Sequence, residues 1–250
     1  MTGPRSSTVV GDDPWQVLRG ATRARVALGR AGDGLPTARE LEFRAAHAVA
    51  RDAVHTPLDV QAVRSGLPGL EVLEVHSAAP DRATYLQRPD LGRRLADGTS
   101  LPAGSYDLAL VLADGLSPRA VAEHGPGTVR AVLERLPGWS VAPVVLAQQA
   151  RVALGDEVGA GLGARAVVVL VGERPGLSSA DSLGLYLTWA PRPGRADSER
   201  NCISNVRPPH GLGYAQAADT LVGLLGAARE LGASGVVLKD EGPALPPGAG

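Results

Sequence analysis

The stretch from Ala164 to Ser179 constrains the fold more than any other part of the chain. Ala166 to Val171 is an unbroken β-branched and aliphatic run, which suits a central strand covered on both faces better than one with a wet face. The run stops sharply. Gly172 lets the backbone turn without a Cβ clash, Glu173 and Arg174 put two charges at the carboxyl end, and Pro175-Gly176 forbids continuation. In an open α/β sheet that edge is where ligands bind, so the turn is a candidate site. Read from these residues alone, pairing of Glu173 with an arginine for structural reasons is the plainer alternative.

The chain on either side supplies the partners of such a strand. Leu70 to His76 alternates apolar and charged residues, as a half-exposed edge strand does. Asp107 to Ala113 reads as a buried strand closed by Asp114-Gly115. Ser117-Pro118 then opens a helix to about Leu136, with serine at the N-cap and proline at the first helical position. Trp139 to Ala147 reads as a strand, Gln149 to Gly161 as a helix, and Asp181 to Ala190 as a strand with Leu183, Leu185, Leu187 and Trp189 on one side. After a polar loop at 191–200, the run Asn201 to Asn205 is expected to remain a loop. Tyr214 to Leu231 is an amphipathic helix and Ser234 to Lys239 a last strand.

Strands alternating with helices at this spacing predict an α/β fold, a mainly parallel sheet with helices on both faces. Ahead of it, residues 14–68 read as a small helical domain. Pro14 starts one helix, and Thr37-Ala38-Arg39-Glu40 opens a second as a capping box. Residues 69–241 form the α/β domain, while 1–13 and the Pro/Gly tail 242–250 are expected to be disordered. Pro80 to Ala96 is expected to be helical and interrupted at Pro89. Its Arg88, Arg93 and Arg94 suit either an anion or a solvated ion-pair face.

Composition excludes several classes. The net charge of −1 gives no positive field for nucleic acid or an anionic membrane. No apolar stretch approaches the ~20 residues that cross a bilayer, and the first thirteen residues lack the core of a secretion signal. Cys202 is the single cysteine, so no intrachain disulfide forms and a reducing intracellular compartment is expected.

Familiar catalytic signatures are missing as well. There is no Walker loop, and Gly172-Glu173-Arg174-Pro175-Gly176 has bulky residues where a pyrophosphate must approach backbone. Gly176-Leu177-Ser178-Ser179-Ala180 approaches a nucleophile elbow but ends in alanine and follows a proline turn. His47, His55, His76, His124 and His210 show no zinc spacing. What remains is a set of polar segments, Asp114-Gly115, Glu173-Arg174 and Asn201 to Asn205, that converge at one sheet edge around something large and polar. A free-standing α/β hydrolase or small-molecule binder using Ser178 or Asp114 stays open as the alternative.

Five runs carry a family resemblance: Gly29-Arg30-Ala31-Gly32, Arg88-Pro89-Asp90-Leu91-Gly92-Arg93-Arg94-Leu95, Asp114-Gly115-Leu116-Ser117, Val171-Gly172-Glu173-Arg174-Pro175-Gly176-Leu177 and Cys202-Ile203-Ser204-Asn205. In this order they resemble the small subunit (light chain) of ethanolamine ammonia-lyase, an adenosylcobalamin-dependent enzyme that converts ethanolamine to acetaldehyde and ammonia. The resemblance implies a Rossmann-like α/β domain after a helical N-terminal domain. It implies a large-subunit partner, a β/α barrel that carries the radical chemistry, and a hetero-oligomer in the bacterial cytoplasm or an ethanolamine-utilisation microcompartment. It also implies cobalamin contacts at Val152, Glu173 and Cys202, with no catalytic or metal-ligating residue on this chain. The motif Asp-x-His-x-x-Gly, which marks replacement of the lower base by histidine, is absent, so the cofactor is expected base-on. The first thirteen residues show no amphipathic helix of the kind that addresses some members to a microcompartment.

Overall fold

Three parallel strand pairs and two antiparallel ones make a single six-stranded sheet in the order β1-β3-β2-β4-β5-β6. The computed structural model describes residues 15–22 and 24–238. The N-terminal and C-terminal segments expected to be disordered, with Pro14 and Lys239, lie outside the described residues.

The strands are β1 (Val72–His76), β2 (Tyr106–Ala113), β3 (Val144–Gln148), β4 (Ala164–Gly172), β5 (Leu183–Trp189) and β6 (Arg200–Val206). The helices are α1 (Gln16–Ala21), α2 (Thr37–His55), α3 (Val60–Ser65), α4 (Arg82–Gln87), α5 (Pro118–Leu133), α6 (Leu154–Leu162) and α7 (Tyr214–Leu231). The sheet is mixed rather than mainly parallel, because β4, β5 and β6 run as an antiparallel meander with no crossover helix.

Side-chain alternation splits the core into two layers. Leu108, Leu110, Leu112, Ala166, Val168, Leu170 and the odd-numbered residues of β5 face α3, α5 and α7, where Val63, Val121, Leu221 and Leu225 are buried. Ala109, Val111, Val167, Val169 and Val171 face α6 through Leu154, Val158 and Leu162. β4 is thus covered on both sides, as its unbroken apolar run requires. β1 and β6 are the edges.

Ser117 caps α5 by accepting the Ala120 N–H at 3.2 Å, with Pro118 as the first helical residue. The expected capping box at Thr37 does not form. α2 has Pro36 at its N-cap with no side-chain cap, and Glu40 instead accepts from Arg44 at 2.6 Å. Of the residues of α2 only Ala53 is buried, whereas Val63 of α3 belongs to the core beneath the sheet.

Two further expectations are corrected. β3 begins at Val144, because Pro143 has no N–H to give the ladder, and only an isolated bridge joins Val141 to Leu108. The expected last strand at 234–239 is a 3-10 turn at Gly235–Val237. Gly235 sits at φ +84°, and the Asn201 side chain takes its N–H at 2.6 Å and donates to the Leu238 carbonyl at 3.0 Å.

The exposed face of the antiparallel meander

The three residues singled out from the sequence come to one region. Antiparallel strands need no crossover, so one face of such a pair is left open unless some other element covers it. The odd-numbered side of β5 lies against α5 and α7, and the other side presents Gly184, Tyr186 and Thr188. α6 covers only the far end of that side. There Arg200 of β6 donates to both Asp156 oxygens, at 2.7 and 2.8 Å, and to the Thr188 hydroxyl at 2.8 Å, with both charged side chains 2% exposed.

Beyond that anchor the face opens. Cys202 stands opposite Tyr186 in the β5–β6 register and is exposed. A cavity of about 390 Å³ is bounded by Cys202, Tyr186 and Arg200 on the strands and by Arg151, Val152 and Arg93 on the facing loops. Although the residue is open to solvent, the protein packed around it partly desolvates the thiolate and raises the Cys202 thiol above its ordinary range, against a Tyr186 hydrogen bond and reinforced by the Glu173 charge. Burial likewise raises the Tyr186 hydroxyl. Cys202 is therefore a protonated thiol near neutral pH and a poor nucleophile.

Glu173 lies next along the same face. Its Oε1 accepts the Ser204 hydroxyl at 2.5 Å, and its Oε2 accepts the Ser182 hydroxyl and, at 3.4 Å, the Asn205 N–H. The side chain crosses Gly184, where a Cβ would stand 2.8 Å from Oε1 and 3.1 Å from the Tyr186 ring. The sequence expectation of an arginine partner for Glu173 gives way to two serine hydroxyls and a backbone amide. Gly172 serves close approach rather than a turn, since a Cβ there would stand 2.0 Å from the Ser117 carbonyl oxygen.

Asp114 has a different place from the one expected. It is buried and accepts the N–H groups of Gln149 and Ala150, at 2.8 and 2.9 Å, with Arg82 at 3.3 Å. These bonds hold Gln149 at φ +54°, so α6 starts at Leu154 and Val152 stays on the loop beside the cavity. Tyr85, buried between the guanidinium groups of Arg82 and Arg151, completes the clamp through a 3.1 Å bond to the Ala150 carbonyl. Asp114 thus shapes the Val152 loop and does not join Glu173.

The run Asn201 to Asn205 is strand β6 rather than a loop, so the region is a sheet face and not only the tips of loops. Sequence reasoning missed Tyr186, Ser182 and the Arg200–Asp156 pair. Tyr186 carried a signal, as the one aromatic on the otherwise small or polar side of β5. Arg88 and Arg93 form ion pairs with Asp90 and Asp197 at 2.7 and 3.6 Å. Ser178 is exposed at the tip of the turn closed by the Gly176–Ser179 bridge, and no hydrogen bond joins it to a histidine among the described residues. Among those residues no helix is long and apolar enough to cross a membrane.

Comparison with known proteins agrees over nearly the whole chain. The family described as ethanolamine ammonia-lyase light chain (EutC) matches residues 12–239. The chain is 53% identical to the ethanolamine ammonia-lyase small subunit of Rhodococcus erythropolis over 232 residues, 91% of this chain and 90% of the relative. It is 56% identical over 242 residues to that of Azotobacter vinelandii, 92% and 89% of the two chains, and 54% identical over 254 residues to that of Ralstonia nicotianae, 96% and 94%. With a family match over residues 12–239 and identity above half across nine-tenths of each relative, the chain belongs to the ethanolamine ammonia-lyase small-subunit family.

Proposed function

We propose that this chain is the non-catalytic small subunit of an ethanolamine ammonia-lyase, and that the open face of β5 and β6 closes an adenosylcobalamin site shared with a large subunit. The observation that carries the reading is the shared cavity: Val152 and Cys202 line it from opposite sides, with the Glu173 carboxylate fixed beside it. A site of about 390 Å³ suits part of a drug-sized ligand, and a corrinoid is several times larger, so this chain can grip only one side of it. A second protein must cover the rest.

The residues fit such a group. Three of the four lone-pair positions of the Glu173 carboxylate are engaged, which fixes its direction and leaves acceptor capacity for an amide or ribose donor. Val152 and the half-buried Tyr186 offer apolar surface, and Cys202 packs as a neutral thiol. When bound, the coenzyme supplies the radical chemistry. This chain's part is to hold the periphery and exclude water, with no proton transfer assigned to it. The cofactor keeps its own lower base in this reading, since the motif for histidine replacement is absent.

The hydrolase alternative has no support in the geometry, because among the described residues no base hydrogen-bonds to Ser178 and Asp114 is spent on the loop clamp. The deciding experiment is co-expression with a candidate large subunit and an acetaldehyde-release assay with adenosylcobalamin, omitting each subunit in turn. Activity requires both chains. Turnover by the large subunit alone at the full rate would refute the assignment.

A further inference from the structure

A second polar cluster lies on the α5 side of the sheet, apart from the cavity at Cys202. His124 of α5 is 6% exposed. Its Nδ1 is 3.0 Å from the Tyr214 hydroxyl, which in turn reaches the Glu123 carbonyl oxygen at 3.4 Å. With the tyrosine proton directed to that carbonyl, Nδ1–H donates to the tyrosine oxygen and Nε2 is left as a lone pair. Nε2 is buried and has no hydrogen-bond partner among the described residues.

That lone pair faces two carboxylates. Glu123 Oε2 is 3.9 Å away, and one ligand atom each from Glu123, His124 and Asp181 lie within 4.8 Å of one another. Each carboxylate has one oxygen taken by an arginine: Oε1 of Glu123 by Arg119 at 2.7 Å, and Oδ1 of Asp181 by Arg207 at 2.6 Å. Oε2 of Glu123 is the oxygen turned to the histidine. In the tautomer that leaves Nε2 unprotonated, its lone pair and the carboxylates repel one another, and a cation between them relieves that repulsion.

We propose that Glu123, His124 and Asp181 bind a divalent first-row cation of the zinc class, with water completing the coordination. One imidazole nitrogen and two carboxylate oxygens are an ordinary donor set for that ion. At tetrahedral angles and metal–ligand distances of about 2.0–2.2 Å, ligand atoms on one ion stand about 3.3–3.6 Å apart, so a pair at the 4.8 Å limit closes by roughly 1.2–1.5 Å. Glu123 and Asp181 can move that far, with side chains 40% and 22% exposed. With its proton on Nδ1 the imidazole donates to Tyr214 and presents Nε2 to the ion. Arg119 and Arg207 oppose a cation, so affinity is lower than with unpaired carboxylates. The bound ion staples α5 to the segment just before Ser182, and it does so whether or not the face at Cys202 takes the coenzyme.

The test uses the full chain, stripped with a chelator and titrated with ZnCl2 by calorimetry, with zinc content measured after gel filtration. One zinc per chain is expected. Glu123→Gln, at an exposed position that leaves the core intact, and His124→Gln should each weaken binding by at least about 10–100-fold. His47→Gln and His210→Gln should leave it unchanged. Absence of stoichiometric uptake, equal binding by Glu123→Gln, or loss of binding only on changing His47 or His210 overturns the proposal.

Discussion

The Glu173 carboxylate accepts the Ser204 hydroxyl at 2.5 Å across 31 positions of sequence, joining the turn after a buried parallel strand to the outermost antiparallel one. Ser182, at the start of the intervening strand, donates to the other oxygen. The carboxylate is therefore aimed before any ligand arrives, which lowers the ordering cost of binding.

Replacing Glu173 with Gln keeps the size and removes the charge. A hydrogen bond to a charged group contributes about 1.5–3 kcal/mol, so adenosylcobalamin should bind the two-subunit complex about ten- to a hundredfold more weakly. Ser204→Ala should cost less, because Ser182 still orients the carboxylate. Spectrophotometric titration of the complex reads both, and unchanged affinity in Glu173→Gln removes this residue from the site.

Gly184→Ala tests orientation without touching the carboxylate itself. The added Cβ would stand 2.8 Å from Glu173 Oε1 and must push that carboxylate off its serine partners. Coenzyme affinity should fall while the thermal midpoint changes little. A large loss of stability with normal affinity would show that Glu173 is not the group displaced.

Asp156→Asn leaves the Arg200 guanidinium buried against a neutral amide. Breaking a buried pair in this way costs about 3–5 kcal/mol, and here it also releases the edge strand that carries Cys202. Urea unfolding of the isolated chain should show the loss, and a change below about 1 kcal/mol would mean the pair is unimportant to β6.

Cys202 is the chain's only thiol, so alkylation reports on it alone. Its raised pKa means less thiolate at any given pH, and the rate with iodoacetamide should rise only above the ordinary thiol range of about 8.5. Adding the large subunit and adenosylcobalamin should slow the reaction further. A rate that has levelled off by neutral pH would contradict the burial effect, and no protection in the complex would move Cys202 out of the interface.

Much of the fold was legible from local pattern. The apolar run of β4 and the alternation of β5 announced the two kinds of strand, and Ser117-Pro118 announced α5, because each signal lies within a few residues. The failures have physical causes of longer range. Thr37-x-x-Glu40 looked like a capping box, but the helix starts at Thr37 itself and Glu40 finds Arg44. Gln149 looked helical, but Asp114 draws its N–H into a left-handed turn. Asn201 to Asn205 looked like a loop because one side of an edge strand with an open face reads as polar.

The sequence by itself determined the α/β class, the central buried strand, the family, and Val152, Glu173 and Cys202 as candidates, since these rest on short-range periodicity and collinear residue runs. Only the tertiary structure decided that β5 and β6 run antiparallel and leave one face open, that Glu173 is held by Ser182 and Ser204, and that Asp114 shapes a loop instead of joining the site. It also brought Asp181 to Glu123 and His124. Strand direction and side-chain partners depend on which distant segments share a face, and no local pattern of residues encodes that.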